Sequence, residues 1–231
     1  IIPYINDKNT AGQDLLNLFF TTFNKYVGKS DKNQAFTPDH ICGFMSKALG
    51  VNKYSRVLDP CCGSGAFLVR AMTDAMDDCD SEKERENVKT DQIFGIEYEL
   101  GAFGLSSTNM LIHGDGNSNI VQDSIFKKAK WIENSDINVV LMNPPYNATK
   151  KFCDPDYTTK WDSKKKEDPS KGFHFVEWVA RHVSPLGKIA VLLPMQSAIG
   201  SSNDVKEFKK KMLDNYTLDA VFSLPVETFY P

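Results

Sequence analysis

Three features of this 231-residue sequence predict an α/β fold, a doubly wound and mostly parallel sheet with helices on both faces. Runs such as Val139-Val140-Leu141-Met142 and the stretch 189–193 are continuously apolar, as strands covered on both faces must be. Segments with helical spacing of apolar residues alternate with these runs. The sharpest backbone punctuation, Gly63 with Gly65 and Pro144 with Pro145, comes directly after two of the strands, where strand-to-helix turns belong.

The elements follow in order. Residues 11–28 carry Leu15, Leu16, Leu18, Phe19, Phe20, Phe23 and Tyr26 at the spacing of an amphipathic helix, so 1–35 reads as a short N-terminal helical segment. Gly28-Lys29-Ser30 imitates the end of a phosphate loop, but the glycine that begins such a loop is replaced by Phe23. The main domain, 36–231, opens with a helix over 38–49 that has Pro38 in its first turn. A strand over 55–58, a helix over 64–76 and an acidic surface stretch over 77–86 come next. A strand over 92–96 and a helix over 100–111 follow, and Asp115 is placed at the end of a third strand. Strands over 137–142, 188–193 and 218–224 are separated by helices over 173–183 and 204–213.

Composition bounds the function. Hydrophobic residues at 41% and charged residues at 25% exclude a disordered, collagenous or coiled-coil chain. No apolar run reaches the roughly 18 to 20 residues that span a bilayer, and the first ten residues lack the pattern of a signal peptide. A cytoplasmic location is the expectation, and a chain opening on Ile1 reads as a trimmed fragment. Five cysteines, an odd number without a Cys-x-x-Cys pair, indicate reduced thiols. The four histidines do not combine with them at zinc-ligand spacing, so no metal is expected. A net charge of −3 gives no overall basic footprint, so any nucleic-acid surface must be local or come from a partner.

Four short features stand after strands: 59–65, Glu97, 114–116 and 143–146. In an open parallel sheet such loops emerge at one rim, where ligands bind. The turn Asp59-Pro60-Cys61-Cys62-Gly63-Ser64-Gly65 lets backbone N–H groups approach a ligand, although two glycines taken alone fit a tight packing turn better. The third glycine of a dinucleotide fingerprint would fall at position 68, which is Leu68. Glu97 can accept from both hydroxyls of a ribose. The Asn143-Pro144-Pro145-Tyr146 turn is the most telling feature. An amide oxygen and the Pro144 carbonyl offer two acceptors that match the two N–H bonds of an exocyclic amino group, and Tyr146 offers a face for a planar base.

Phe36-Thr37-Pro38, the 59–65 turn, Glu97, Asp115 and Asn143 to Tyr146, in that order, resemble the motifs of S-adenosylmethionine-dependent DNA adenine-N6 methyltransferases in their gamma arrangement. The chain is most similar to the modification subunit of type I restriction–modification systems. The resemblance implies a Rossmann-like class I methyltransferase catalytic domain at 36–231, truncated at its C-terminus, with 1–35 the remnant of a longer helical region. It implies that Phe36, Thr37, Pro38, Asp59, Gly63 and Gly65 surround the methionine end of S-adenosyl-L-methionine, with Cys61 and Ser64 also binding the cofactor. Glu97 would hold its ribose, Ile96 would pack on its adenine, and Asp115 would accept from the adenine amino group. Asn143, Pro144, Pro145 and Tyr146 would act on an adenine flipped out of double-stranded DNA. A specificity subunit is the implied partner, with a restriction subunit as a further one. Glutamine-N5 protein methyltransferases and ribosomal-RNA methyltransferases share Asn-Pro-Pro-Tyr, and a non-catalytic methyltransferase-like subunit is the remaining alternative. The stretch 147–171 holds seven lysines against five acids, with Tyr157 and Trp161. It reads equally as a basic loop closing on nucleic acid or as a solvated loop.

Overall fold

The computed structural model describes residues 37–115, 119–162 and 164–229. The expected helix over 11–28 and Phe36 lie outside the described residues. Five strands form one sheet: β1 (Val57–Asp59), β2 (Ile93–Glu97), β3 (Asn119–Gln122), β4 (Val139–Met142) and β5 (Lys188–Val191). Their order is β3-β2-β1-β4-β5 and every pairing is parallel. This is the doubly wound α/β sheet that the apolar strands predict.

The two-residue period of the strands builds two cores, one on each face. Val57, Ile93, Val139 and Leu141 point to one side. There they meet α1 (Asp39–Leu49), α2 (Ala66–Asp77) and Val88 of α3 (Glu82–Asp91). Leu58, Phe94, Ile96, Val140 and Met142 point to the other. They meet Ile132 of α5 (Ala129–Glu133) and Phe175, Trp178 and Val179 of α7 (Phe173–Ala180). Between β2 and β3 runs α4 (Leu100–Ile112), and between β4 and α7 lies a short turn of helix, α6 (Pro155–Thr158). Beyond β5 come α8 (Met195–Ile199) and α9 (Asn203–Asn215).

The acidic stretch 77–86 lies on the surface as expected, apart from the buried Cys79, and contains the start of α3, whose N-cap Ser81 hydroxyl accepts from the Glu84 N–H. Two sequence expectations differ from the structure. The third strand begins at Asn119, so Asp115 precedes it. The Asp115 N–H closes the end of α4 on the Met110 carbonyl, at the rim opposite the turns at 59–65 and 143–146. The expected strand over 218–224 does not form. Leu218, Val221 and Phe222 are 61%, 69% and 61% exposed. Apolar character without a neighbouring strand to accept its backbone bonds does not make a strand. Phe222 instead rests edge-on against Phe44 of α1, ring centroids 5.1 Å apart.

Candidate active site

The loops after β1, β2, β3 and β4 meet at one rim and enclose a cavity of about 580 Å³. After β1 the chain makes a tight turn in which the Gly65 N–H bonds the Cys62 carbonyl at 2.7 Å and Gly65 sits at φ +83°. A Cβ there would lie 3.3 Å from Cβ of Ser106, so glycine both permits the left-handed turn and lets α2 start close to α4. The Asn109 amide of α4 donates to the Ser64 carbonyl at 2.9 Å and fixes the turn from below.

Glu97, at the end of β2, braces this turn. One carboxylate oxygen accepts from the Gly63 N–H and the other from the Glu99 N–H, both at 2.8 Å. Asp59, at the end of β1, is 1% exposed and accepts from the Cys61 N–H at 3.0 Å. Burial pushes its pKa up to about 8; the Cys61 N–H works against this, and the Glu97 charge adds to it. Burial also pushes the Cys61 and Cys62 thiols up, so neither is a ready nucleophile. Asp123 follows β3 and bonds back to β2, its N–H donating to the Glu97 carbonyl at 3.0 Å. Its pKa is lowered, first by the Ser124 N–H and then by Lys128.

The raised Asp59 pKa has a measurable sign. The folded state holds this proton more tightly than the unfolded chain, whose carboxyl titrates near 3.8. The stabilisation is therefore complete below about pH 4 and is lost as pH rises toward about 8. The thermal midpoint without ligand is expected to fall across this window, and Asp59→Asn is expected to flatten the fall. Parallel melting curves for the two proteins from pH 5 to 9 would contradict the assignment.

After β4 the chain turns through Asn143, Pro144 and Pro145. The Asn143 Nδ2 donates to the Thr37 Oγ1 at 3.2 Å, and the Tyr146 hydroxyl donates to the Asn143 Oδ1 at 3.0 Å. Burial raises the Tyr146 pKa, which keeps the phenol protonated and able to donate. Gly172, at φ +93°, stands behind this turn; a Cβ on it would lie 2.9 Å from Leu193 and 3.5 Å from Pro144.

The described residues of the stretch, 147–162 and 164–171, are folded against the rim of the cavity. Its Ala148, Thr149 and Phe152 line the cavity, and Phe152 meets Tyr98 edge-on with centroids 5.0 Å apart. The base of the stretch is clasped by the fully buried Asp168. Its carboxylate accepts from the Tyr157 hydroxyl at 2.8 Å, from the Ser170 hydroxyl and N–H, and from the Gly172 N–H at 2.9 Å. The Asp168 N–H in turn bonds the Ala148 carbonyl at 2.8 Å. His174, buried between the rings of Tyr157 and Phe126, has its pKa pushed down to about 3 by that burial and is a neutral packing residue. Among the lysines, Lys165 pairs with Asp204, Lys150 lies over the Trp161 ring and Lys151 over the Phe152 ring.

Of the residues singled out in the sequence, Thr37, Asp59, Cys61, Gly63, Ser64, Glu97, Asn143, Pro144, Pro145 and Tyr146 line this one cavity. Pro38 caps the start of α1 just beyond Thr37, and Gly65 acts through the shape of the turn. Two expectations are corrected. Ile96 does not face the cavity, because the strand's alternation turns it fully into the second core. Asp115 lies at the other rim, and Asp123 occupies the position it was expected to fill. Tyr98, Glu99, Phe126 and Phe152 also line the cavity and were not anticipated. Tyr98 had a signal, since it directly follows a strand-end carboxylate.

Among the described residues, no group of three or more His, Cys, Asp or Glu side chains could hold a metal ion. Among them, too, no helix is long and apolar enough to cross a membrane. All five cysteines are free thiols.

The family model described as N-6 DNA Methylase matches residues 12–231. The chain is 32% identical over 230 residues to the type II restriction enzyme and methyltransferase RM.BcgI of Heyndrickxia coagulans, covering 96% of this chain and 33% of that protein. It is 25% identical over 198 residues to the type I restriction enzyme EcoEI methylase subunit of Escherichia coli, covering 85% and 39% respectively. The chain thus spans between a third and two fifths of these relatives' length. In fold it is similar to the type I restriction-modification methyltransferase subunit from Streptococcus thermophilus. The TM-score there is 0.59 at 19% identity, over 91% of this chain and 45% of that one.

Proposed function

From the premise that this chain belongs to the N-6 DNA Methylase family, we propose that it transfers a methyl group from S-adenosyl-L-methionine to N6 of an adenine flipped out of double-stranded DNA. It does so as the modification part of a restriction–modification system, alongside a specificity subunit and a restriction subunit. The proposal includes the division into a helical segment at 1–35 and a catalytic domain from 36, and a cytoplasmic location. The observation that carries it is the placement of the Asn143 amide in the same cavity as the glycine turn at 63–65.

The cavity's chemistry fits the cofactor. Its lining carries four acidic side chains, Asp59, Glu97, Glu99 and Asp123, of which the buried Asp59 keeps its proton while no cation is near, and among the described residues no lysine or arginine. That favours a ligand with net positive charge, which S-adenosyl-L-methionine is, over a dinucleotide with its pyrophosphate. Glu97 and Asp123 would hold its ribose and adenine side, and Asp59 with the backbone of the turn its methionine side. When bound, this cofactor supplies an electrophilic methyl group on a sulfonium.

The remaining work falls to the chain's own residues. Tyr146 offers its ring to the flipped base. The Asn143 Oδ1 and the Pro144 carbonyl accept the two N–H bonds of the amino group. That pulls the nitrogen lone pair out of conjugation and aims it along the line of displacement. The contribution is positioning and electrostatic, made by groups already held in place. The wall at 148–152 narrows the access of water.

The test offers tritiated S-adenosyl-L-methionine to the full-length enzyme with plasmid DNA, ribosomal RNA and a release factor. Label is expected in DNA alone; label in RNA or in a glutamine of the release factor overturns the reading. Lys150 and Lys151, beside the cavity-lining Phe152, are expected to meet phosphates flanking the target. Lys150→Glu with Lys151→Glu should flatten the slope of log affinity against log salt by about 0.9 for each phosphate the lysines neutralise. An unchanged slope leaves these lysines as solvated side chains only.

A further inference from the structure

The hydrogen bonds of Asn143 determine more than the placement of an amide. A side-chain amide can be turned over with little change in shape, and the two orientations are opposite in chemistry. With its oxygen toward the base, it accepts from an amino group; with its nitrogen there, donor would face donor. Two hydroxyls flank Asn143 and hold it in the first of these orientations, although each hydroxyl could also take the other role. Thr37, more than a hundred residues earlier in the chain, presents Oγ1 as acceptor to Nδ2 at 3.2 Å, and Tyr146 presents its hydroxyl as donor to Oδ1 at 3.0 Å.

The hydrogen bond with Tyr146 has a consequence for turnover. Asn143 Oδ1 is the acceptor that the incoming amino group needs, and here the phenol already holds it. Tyr146 is also the residue whose ring is to lie against the base, and both residues line the cavity. The hydroxyl therefore stands where the substrate's N–H will be, and the arriving base must displace it.

We infer that Thr37 is a positioning residue that fixes the Asn143 amide with its oxygen toward the base site, and that the Tyr146 hydroxyl is a placeholder on that oxygen, exchanged for the target's amino group. The inference rests on the functional reading given above. Thr37 acts here through Asn143, beside any contact it makes with the methionine end of the cofactor. Tyr146 has two separable parts, a ring that receives the base and a hydroxyl that guards the acceptor in its absence.

The experiment measures single-turnover methyl transfer, the KM for DNA and cofactor affinity by calorimetry in the full-length enzyme. Thr37→Val keeps the volume and removes the acceptor. It is expected to slow transfer about 10- to 100-fold at saturating cofactor, because a misaimed group costs rate steeply, more than any change in cofactor affinity accounts for. Thr37→Ser, which restores the acceptor, is expected to recover most of the rate. Tyr146→Phe keeps the ring and removes the placeholder. Its KM for DNA is expected to fall about 2- to 10-fold, the scale of one neutral hydrogen bond. A Thr37→Val enzyme with unchanged rate, a Thr37→Ser enzyme no better than the valine variant, or a Tyr146→Phe enzyme whose KM does not fall overturns the inference while leaving the methyltransferase reading intact. An unmodified enzyme that binds the cofactor and labels no DNA overturns that reading, and this inference with it.

Discussion

Asn143→Ala is expected to lower methyl transfer by about 10³-fold while cofactor affinity stays within about 2-fold. The magnitude follows from what the amide does. It is one of two acceptors for the target amino group, and removing one preorganised polar group at a reacting centre typically costs about 10²- to 10³-fold. Here the same change also removes a hydrogen bond made by each of Thr37 and Tyr146, so the groups that frame the base lose their alignment. The separation from cofactor binding follows from the topology. The turn at 63–65 and Glu97 hang from β1 and β2, and Glu97 braces the turn directly, whereas Asn143 hangs from β4 and bonds neither. Tritium transfer to DNA and calorimetric titration of S-adenosyl-L-methionine measure the two quantities on the same preparation. Full activity in the variant would end the proposed mechanism. Loss of cofactor affinity in step with activity would make Asn143 a cofactor residue instead.

What the sequence made legible is what strands and turns encode locally. β4 could be read because Val139 to Met142 are buried on both faces, and a continuous apolar run has no other economical reading. Asn143 and Glu97 could be read because each ends such a run, and parallel strands bring their ends to one rim whatever lies between them. β3 was harder. Asn119-Ile120-Val121-Gln122 is only half-buried, at the outer side of β2, so its composition is that of an exposed strand. Without a visible strand there, the preceding helix runs directly into the Gly-Asp turn, which assigns Asp115 the place that belongs to Asp123. Ile96 shows the same limit on a finer scale. Its neighbour Glu97 was placed at the rim, but the alternation that brings Glu97 there turns Ile96 into the core. The strand over 218–224 failed for a different reason. A run of apolar residues records a preference for burial, whereas a strand requires a partner's backbone, and that information is not in the segment. The Asp168 clasp had no sequence signal, because its donors are two backbone N–H groups and two hydroxyls assembled by the fold.

That clasp carries the largest expected effect on stability. Asp168 is a fully buried carboxylate, and among the described residues no cationic side chain pairs with it. Its charge is held by donors alone, from Tyr157, Ser170 and Gly172. Asp168→Ala would leave these donors buried without an acceptor, each at a cost of about 1 to 3 kcal/mol where water does not replace it. A net loss of about 3 kcal/mol is expected, which for a domain of this size lowers the thermal midpoint by roughly 6 to 12 °C. The loss is local in origin. The clasp joins Ala148 near the start of the stretch 147–172 to Gly172 at its end, and Gly172 backs Pro144 and Tyr146. Amide exchange over 148–172 is therefore expected to accelerate well before that of β1, β2 and β4. Methyl transfer should fall further than the folded fraction accounts for, since the wall carrying Ala148, Thr149 and Phe152 is no longer held against the cavity. Asp168→Asn, which keeps the shape but turns an amide N–H toward at least one donor, should lie between the two proteins. An Asp168→Ala enzyme with unchanged midpoint and exchange would show that the stretch is held by its apolar packing, through Trp161, Cys153 and Ala148, and not by the carboxylate.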